Sequence, residues 1–289
     1  MLKIFIGLLL LSSVTIISCK KNHNNSEPAI NFIFKFDSTQ QRLNNLGAPV
    51  GVAGGNKAQS PVFNTMSAHY LELSPDQFTT LGGGDVLYKA PETTSGGTNA
   101  IDFSKARFAG ESETFLSVPL KELQPGSYNW LRISLAYQNY TVKVNTPLQI
   151  VDATVASFIG FKTYIQNFKI KDSVLNVNAN KDQGFWALEA SASGFGIVES
   201  GQAPPGATTV PNPLFASSPV PAGSCVVTGK FASPLEIKGN ETSDITVVIS
   251  LSVNNSFEWK DMDGNNTYDP LNSDQVVDMG IRGLIPIKQ

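Results

Sequence analysis

Apolar residues recur at every second position in one short run after another. Ile30, Phe32, Phe34 and Phe36 share one side of a run whose other side carries Asn31, Ile33 and Lys35, and Ile245, Val247, Ile249, Leu251 and Val253 alternate with Thr246, Val248, Ser250 and Ser252. Successive side chains of an extended chain point to opposite faces, so a period of two makes a strand with one buried face and argues against an amphipathic helix. After the turn signal Pro125-Gly126, residues 127–137 set Leu131, Ile133, Leu135 and Tyr137 on one side and Tyr128, Trp130 and Arg132 on the other. Further strands are expected within 69–73, 140–144, 174–179, 184–190 and 225–231. Helical spacing is never sustained, and the best stretch for it, 152–164, is rich in β-branched and aromatic residues. With 24 Gly and 17 Pro between these runs, the chain reads as all-β: an antiparallel β-sandwich with long Pro/Gly-rich loops.

A chain of 289 residues, 41% of them hydrophobic, has enough apolar surface for one large core or two modest ones. Residues 199–223 hold Pro204, Pro205, Pro211, Pro213, Pro219 and Pro221 without apolar alternation, which makes a long loop or a linker. Residues 224–289 carry about three strands, too few to close a sandwich alone. The expectation is a single β-rich domain over 29–289 with an excursion at 199–223. The charge is low and nearly balanced, 21 Lys+Arg against 24 Asp+Glu, and forms no basic face for nucleic acid. Two His in the whole chain leave little for general-base catalysis or metal ligation.

Residues 1–18 read as a basic start at Lys3, an apolar run from Ile4 to Leu11, and an exit interrupted by Ser12, Ser13 and Thr15. The run falls short of the roughly 20 apolar residues needed to span a bilayer and reads as a removable processing signal. Cys19 follows at once, then Lys20-Lys21. Ile16-Ile17-Ser18-Cys19 resembles the signal of bacterial lipoproteins, with Ile where Leu is most usual, and Ser-Cys-Lys-Lys before an Asn-rich stretch resembles lipoproteins of the Bacteroidota. The resemblance implies that Cys19 becomes the first mature residue and carries two or three acyl chains. At about 0.8 kcal/mol per buried CH₂, these moor a protein stably to a membrane. Residues 19–28 are then a polar, lipid-anchored tether. The expected location is the outer membrane, and both its periplasmic face and the cell surface stay open. With Cys19 acylated, Cys225 has no intrachain partner and is expected to be a small buried hydrophobe.

The sharpest local motif is Asp261-Met262-Asp263-Gly264-Asn265-Asn266-Thr267-Tyr268-Asp269, with Asn272 and Asp274 beyond it. Oxygens at relative positions 1, 3, 5 and 9, and a carbonyl at 7, suit Ca²⁺, which takes six to eight of them from a curled loop. The run resembles the DxDxN calcium loops of EF-hands and thrombospondin-type repeats. By that resemblance Asp261, Asp263, Asn265 and Asp269 are side-chain ligands and Thr267 offers its carbonyl. It departs from the pattern at Asn266, where Asn can adopt the left-handed conformation in place of Gly, and at Asn272, which replaces a bidentate Glu, so that either the affinity is weaker or Asp274 supplies the missing oxygen. The same residues are also the ordinary residues of a turn.

His69 shares a run with Leu71 and Leu73, which predicts a half-buried, hydrogen-bonded imidazole. Met66 nearby gives a distant likeness to periplasmic copper-binding lipoproteins. No Gly-x-Ser-x-Gly elbow accompanies His69, and Gly51 to Lys57 lacks the Gly-Lys-Ser/Thr of a phosphate loop. The expectation is a non-enzymatic envelope lipoprotein acting as a binding or structural module toward a protein or glycan, with a calcium-stabilised loop. The alternatives are a surface glycan hydrolase, which needs two suitably spaced carboxylates, and a periplasmic copper-binding protein.

Overall fold

The computed structural model describes residues 27–192, 195–203, 219–221 and 223–289. The signal, Cys19 and nearly all of the tether lie outside the described residues, as does most of the Pro-rich stretch.

The protein is all-β. Among the described residues the elements, in chain order, are β1 (Ala29–Asp37), β2 (Asn56–Gln59), β3 (Val62–Ser74), β4 (Asp85–Lys89), β5 (Glu92–Thr93), β6 (Ala100–Asp102), β7 (Thr114–Pro119), β8 (Gly126–Asn145), β9 (Ile150–Phe158), β10 (Lys162–Lys169), β11 (Val174–Asp182), β12 (Phe185–Ala192), β13 (Phe195–Gln202), β14 (Cys225–Ile237), β15 (Ile245–Ser252), β16 (Phe257–Lys260), β17 (Gln275–Met279) and β18 (Leu284–Lys288). They form a sheet in the order β18-β15-β1-β7, a larger one in the order β13-β12-β9-β8-β3-β4 with β14 also on β8, and two smaller ones, β11-β10-β6-β5 and β17-β16-β2.

Packing follows from the alternation. Ile30, Phe32 and Phe34 of β1 and Val247, Ile249 and Leu251 of β15 join Leu71, Leu73, Leu131, Ile133, Val142 and Val227 of the larger sheet in one buried cluster. Each such side chain contributes roughly 1.5–3 kcal/mol when fully buried. The larger sheet is covered on its other face as well, where Phe158, Phe185 and Ala187 pack against Ile165, Phe168 and Ile170.

Four expectations are corrected. The sheets are mainly but not wholly antiparallel: β1 pairs parallel with β15, Ile30 opposite Ile245, and β10 pairs parallel with β6. Residues 224–289 hold five strands, because β14 continues to Ile237 and β16, β17 and β18 are short. Tyr137 does not share a face with Leu131, Ile133 and Leu135. Between β3 and β8 the register shifts between Ser67 and Ala68 and again between Ala68 and Tyr70, leaving Ala136 and His69 without opposite partners. Such bulges reverse the alternation, so Tyr137 joins the second cluster while Tyr140, Val142 and Val144 return to the first. The same shift separates His69, which packs on Phe161 at 5.4 Å between ring centres, from Leu71 and Leu73 in the main core.

β8 runs 20 residues, and at ~3.3 Å per residue it reaches up to ~65 Å. Its start lies beside the point where the chain enters the sandwich: the Leu120 amide donates to the Pro28 carbonyl at 2.8 Å, six residues before Gly126. At its other end the Asn145 amide donates to the Tyr268 carbonyl at 2.7 Å, within the Asp-rich segment.

Candidate functional site: an aspartate loop beside a polar cleft

β16 and β17 are antiparallel, and residues 261–274 connect them. The base of this connection is fixed by aromatic packing, with Tyr268 at 5.0 Å from Phe257 and 5.8 Å from Trp259 between ring centres. Within it, Asp and Asn side chains hold the backbone through short-range bonds. Asp261 accepts from the amides of Gly264 at 2.8 Å and Asn266 at 2.9 Å, and Asn265 Oδ1 accepts from Thr267 N at 2.7 Å. Asn266 has φ 64°, the left-handed conformation expected of it.

Asp261, Asp263 and Asp274 offer carboxylate oxygens that all lie within 4.8 Å of one another. Burial pushes the Asp261 carboxyl up, but the amides of Asn266 and Gly264 outweigh it and hold the group below its usual range. Asp274 is buried and anchors the loop at two points, accepting from Met262 N and Asp269 N at 2.8 Å each. Of the residues expected from sequence, Asp261 and Asp263 therefore meet, and Asp274 completes the carboxylate group. Asp269 is engaged elsewhere: Oδ2 accepts from Asn145 Nδ2 at 3.2 Å and Asn272 Nδ2 at 2.7 Å. Asn265 Oδ1 accepts from both the amide and, at 2.5 Å, the hydroxyl of Thr267. Three carboxylates drawn together, with no Lys or Arg in ion-pair contact among the described residues, are what a hard cation would neutralise.

Asp269 is also the floor of a cleft that was not foreseen from sequence. The cleft has a volume of about 520 Å³ and lies between the turn of residues 145–150 on one side and Asp269, Leu271 and Asn272 on the other. Leu148 is 84% exposed and Leu271 70%, so aliphatic side chains stand at its rim. The turn itself is closed by Thr146, whose hydroxyl donates to the Gln149 carbonyl at 2.6 Å. The sequence carried one signal for it, Thr146-Pro147 between two alternating runs, and nothing to say which loop would face it.

A buried ionic brace lies behind the aspartate loop. Arg42 donates to the Asn254 carbonyl at 3.1 Å, to the Asn255 carbonyl and to the Glu258 carboxylate, which also accepts from Asn56 Nδ2 at 3.3 Å. Arg282 pairs with Glu258 and with Asp278. Burial pushes the Asp278 carboxyl up. Burial likewise acts upward on Glu258, but Arg42, Asn56 and Arg282 outweigh it and hold it low.

His69 is fully buried, with Nε2 at 2.9 Å from Glu92 Oε1, while Glu92 Oε2 accepts from Asn99 Nδ2 at 2.7 Å. Met66 lies in the main core cluster and His69 outside it. Cys225 is buried in the same core, and burial pushes its thiol up to about 12. A thiol so placed is an inert hydrophobe.

Comparison with family models, with curated proteins and with solved structures gives no match for this chain.

Proposed function

We propose that the protein is a cell-envelope lipoprotein, moored through acyl chains on Cys19, that serves as a non-enzymatic binding or structural module. The observation that carries this reading is the order of segments: Lys3 and an apolar run within 1–18, Cys19, a polar Asn-rich stretch, and then β1 opening an all-β fold at Ala29. A folded module behind a short tether is suited to holding a partner close to a membrane. The state of the two groups most suited to covalent or acid–base chemistry supports a non-enzymatic role, since His69 is sealed against Glu92 and Cys225 lies in the core.

The loop of 261–274 is proposed to bind Ca²⁺ through Asp261, Asp263 and Asp274, with the Thr267 carbonyl as a further oxygen and Asn265 Oδ1 held instead by Thr267. The ion would relieve repulsion among the three carboxylates and stiffen the connection, so that metal binding and folding stability are linked.

Growth with radiolabelled palmitate tests the anchor. The full-length chain is expected to incorporate label, and Cys19→Ala to incorporate none and to retain its signal, running as a larger species. Label on the variant overturns the assignment of the anchor to Cys19.

A further inference from the structure

We infer that the cleft between residues 145–150 and 269–272 is a binding site for a neutral saccharide, held at the end of the molecule opposite to the tether. This rests on the envelope-lipoprotein reading for its orientation and on the cleft alone for its chemistry.

The lining selects against charged ligands. Among the described residues no Lys or Arg borders the cleft, so it has no means of recognising phosphate, sulfate or carboxylate groups. The one carboxylate there, Asp269, is buried and already accepts bonds from Asn145 and Asn272, so it fixes the two walls and does not meet a cationic ligand. What faces the opening is amide chemistry. Asn145 and Asn272 each use their Nδ2 on Asp269, which leaves their Oδ1 atoms as acceptors. Gln149 is exposed and, among the described residues, its side-chain amide has no protein partner, so it offers both a donor and an acceptor. Leu148, Ile150 and Leu271 add exposed hydrocarbon beside these groups, with Ile150 54% exposed. A sugar ring matches this set, with hydroxyls for the amides and C–H faces for the leucines. Because the walls are cross-linked through Asp269, little ordering is needed on binding. The volume of about 520 Å³ lies within the range of small-ligand sites, roughly 300–1,000 Å³.

The position of the cleft agrees with a receptor role. Pro28, just before β1, bonds Leu120 six residues ahead of β8, and the cleft lies at the far end of β8 beside Asn145, so a chain anchored ahead of β1 presents the cleft away from the anchor.

Affinity electrophoresis of the full-length lipidated protein in detergent tests the proposal, with laminarin, xylan, mannan and levan as neutral probes and heparin as the anionic one. Retardation by at least one neutral polysaccharide is expected, with apparent affinity reduced tenfold or more in the double variant Gln149→Ala/Leu271→Asp and unchanged in Phe78→Ser, an exposed residue of a separate loop. Both substituted cleft residues are exposed, and equal melting temperatures would show that the loss is local. No retardation by any neutral probe, retardation by heparin alone, or retardation indifferent to the double variant overturns the inference. Cys19→Ala is expected to lose palmitate and keep retardation, so the anchor and the cleft fail independently.

Discussion

His69 has its imidazole sealed between Phe161 and the Glu92 carboxylate, with Lys89 at 3.3 Å from the same carboxylate oxygen. Burial lowers its pKa below the ordinary 6.5, although Glu92 acts in the opposite direction. The Glu92 carboxyl is pushed up by burial, but its bonds from Asn99 and His69 and the charge of Lys89 prevail and hold it low. A histidine whose folded pKa is depressed binds its proton more readily when unfolded, so stability is complete above about 6.5 and declines as pH falls through the window beneath it. The melting temperature is therefore expected to be lower at pH 5.5 than at 7.5, and His69→Gln to reduce that difference. Asp278, with a raised pKa, works in the opposite sense in both proteins and cancels in the comparison. An identical pH dependence in the two proteins would contradict the burial argument. That His69 is hydrogen-bonded was legible from its place in an apolar run, which suggested half burial, whereas the bulge in β3 turns it to the other face and buries it fully. Its partner was not, because Glu92 is brought to it by pairing between strands and not by any local spacing.

At the scale of elements, the strand face of β1 reads directly from the chain, since it keeps alternation and buries one side, whereas β15 keeps the apolar alternation but is buried on both faces, Ser250 and Ser252 included. β8 did not, because a bulge is an extra residue that alternation alone cannot reveal, and here it moves Tyr137 to the opposite face. The parallel match of β1 with β15 was equally hidden, as the pairing sense of two distant strands depends on the rest of the sheet. Close packing of β14 against β18 sets a sharp requirement at Gly229, where an added Cβ would meet Leu284 Cδ2 at 2.1 Å and its carbonyl oxygen at 2.5 Å. Gly229→Ala is expected to cost about 1–3 kcal/mol in urea unfolding through overpacking, and an unchanged midpoint would count against this contact. For the 261–274 connection, saturating Ca²⁺ is expected to raise the melting temperature and EGTA to reverse it, with Asp263→Ala or Asp274→Ala abolishing the difference. Thermal curves that ignore Ca²⁺ would remove the metal from the proposal and leave a turn. Two of these three carboxylates were legible as a spaced motif and the third, Asp274, as the residue beyond it that could supply a missing oxygen. Asp269 lies apart from these three, bonded to Asn145 on another strand, a partner that local spacing does not reveal.

At the scale of the whole molecule, Pro28 bonds Leu120 just ahead of β8 and the cleft lies at the other end of that strand, so the proposed anchor at Cys19 predicts an orientation on a membrane. Cys225 is buried, so a thiol-reactive fluorophore will mark an introduced exposed cysteine. On vesicles carrying a headgroup quencher, lipidated protein labelled at Lys121→Cys, beside Glu27, is expected to be quenched more strongly than protein labelled at Leu148→Cys. Equal quenching would mean that the long axis lies flat on the bilayer.

The parallel embrace of β1 by β15 has a consequence for how such a chain comes to be made. Ile30 finds Ile245 only after more than two hundred intervening residues have been made. Until then the opening strand has half its edge unsatisfied, and contacts so distant in sequence close slowly. The first strand of the sheet is thus among the last to have both its neighbours in place.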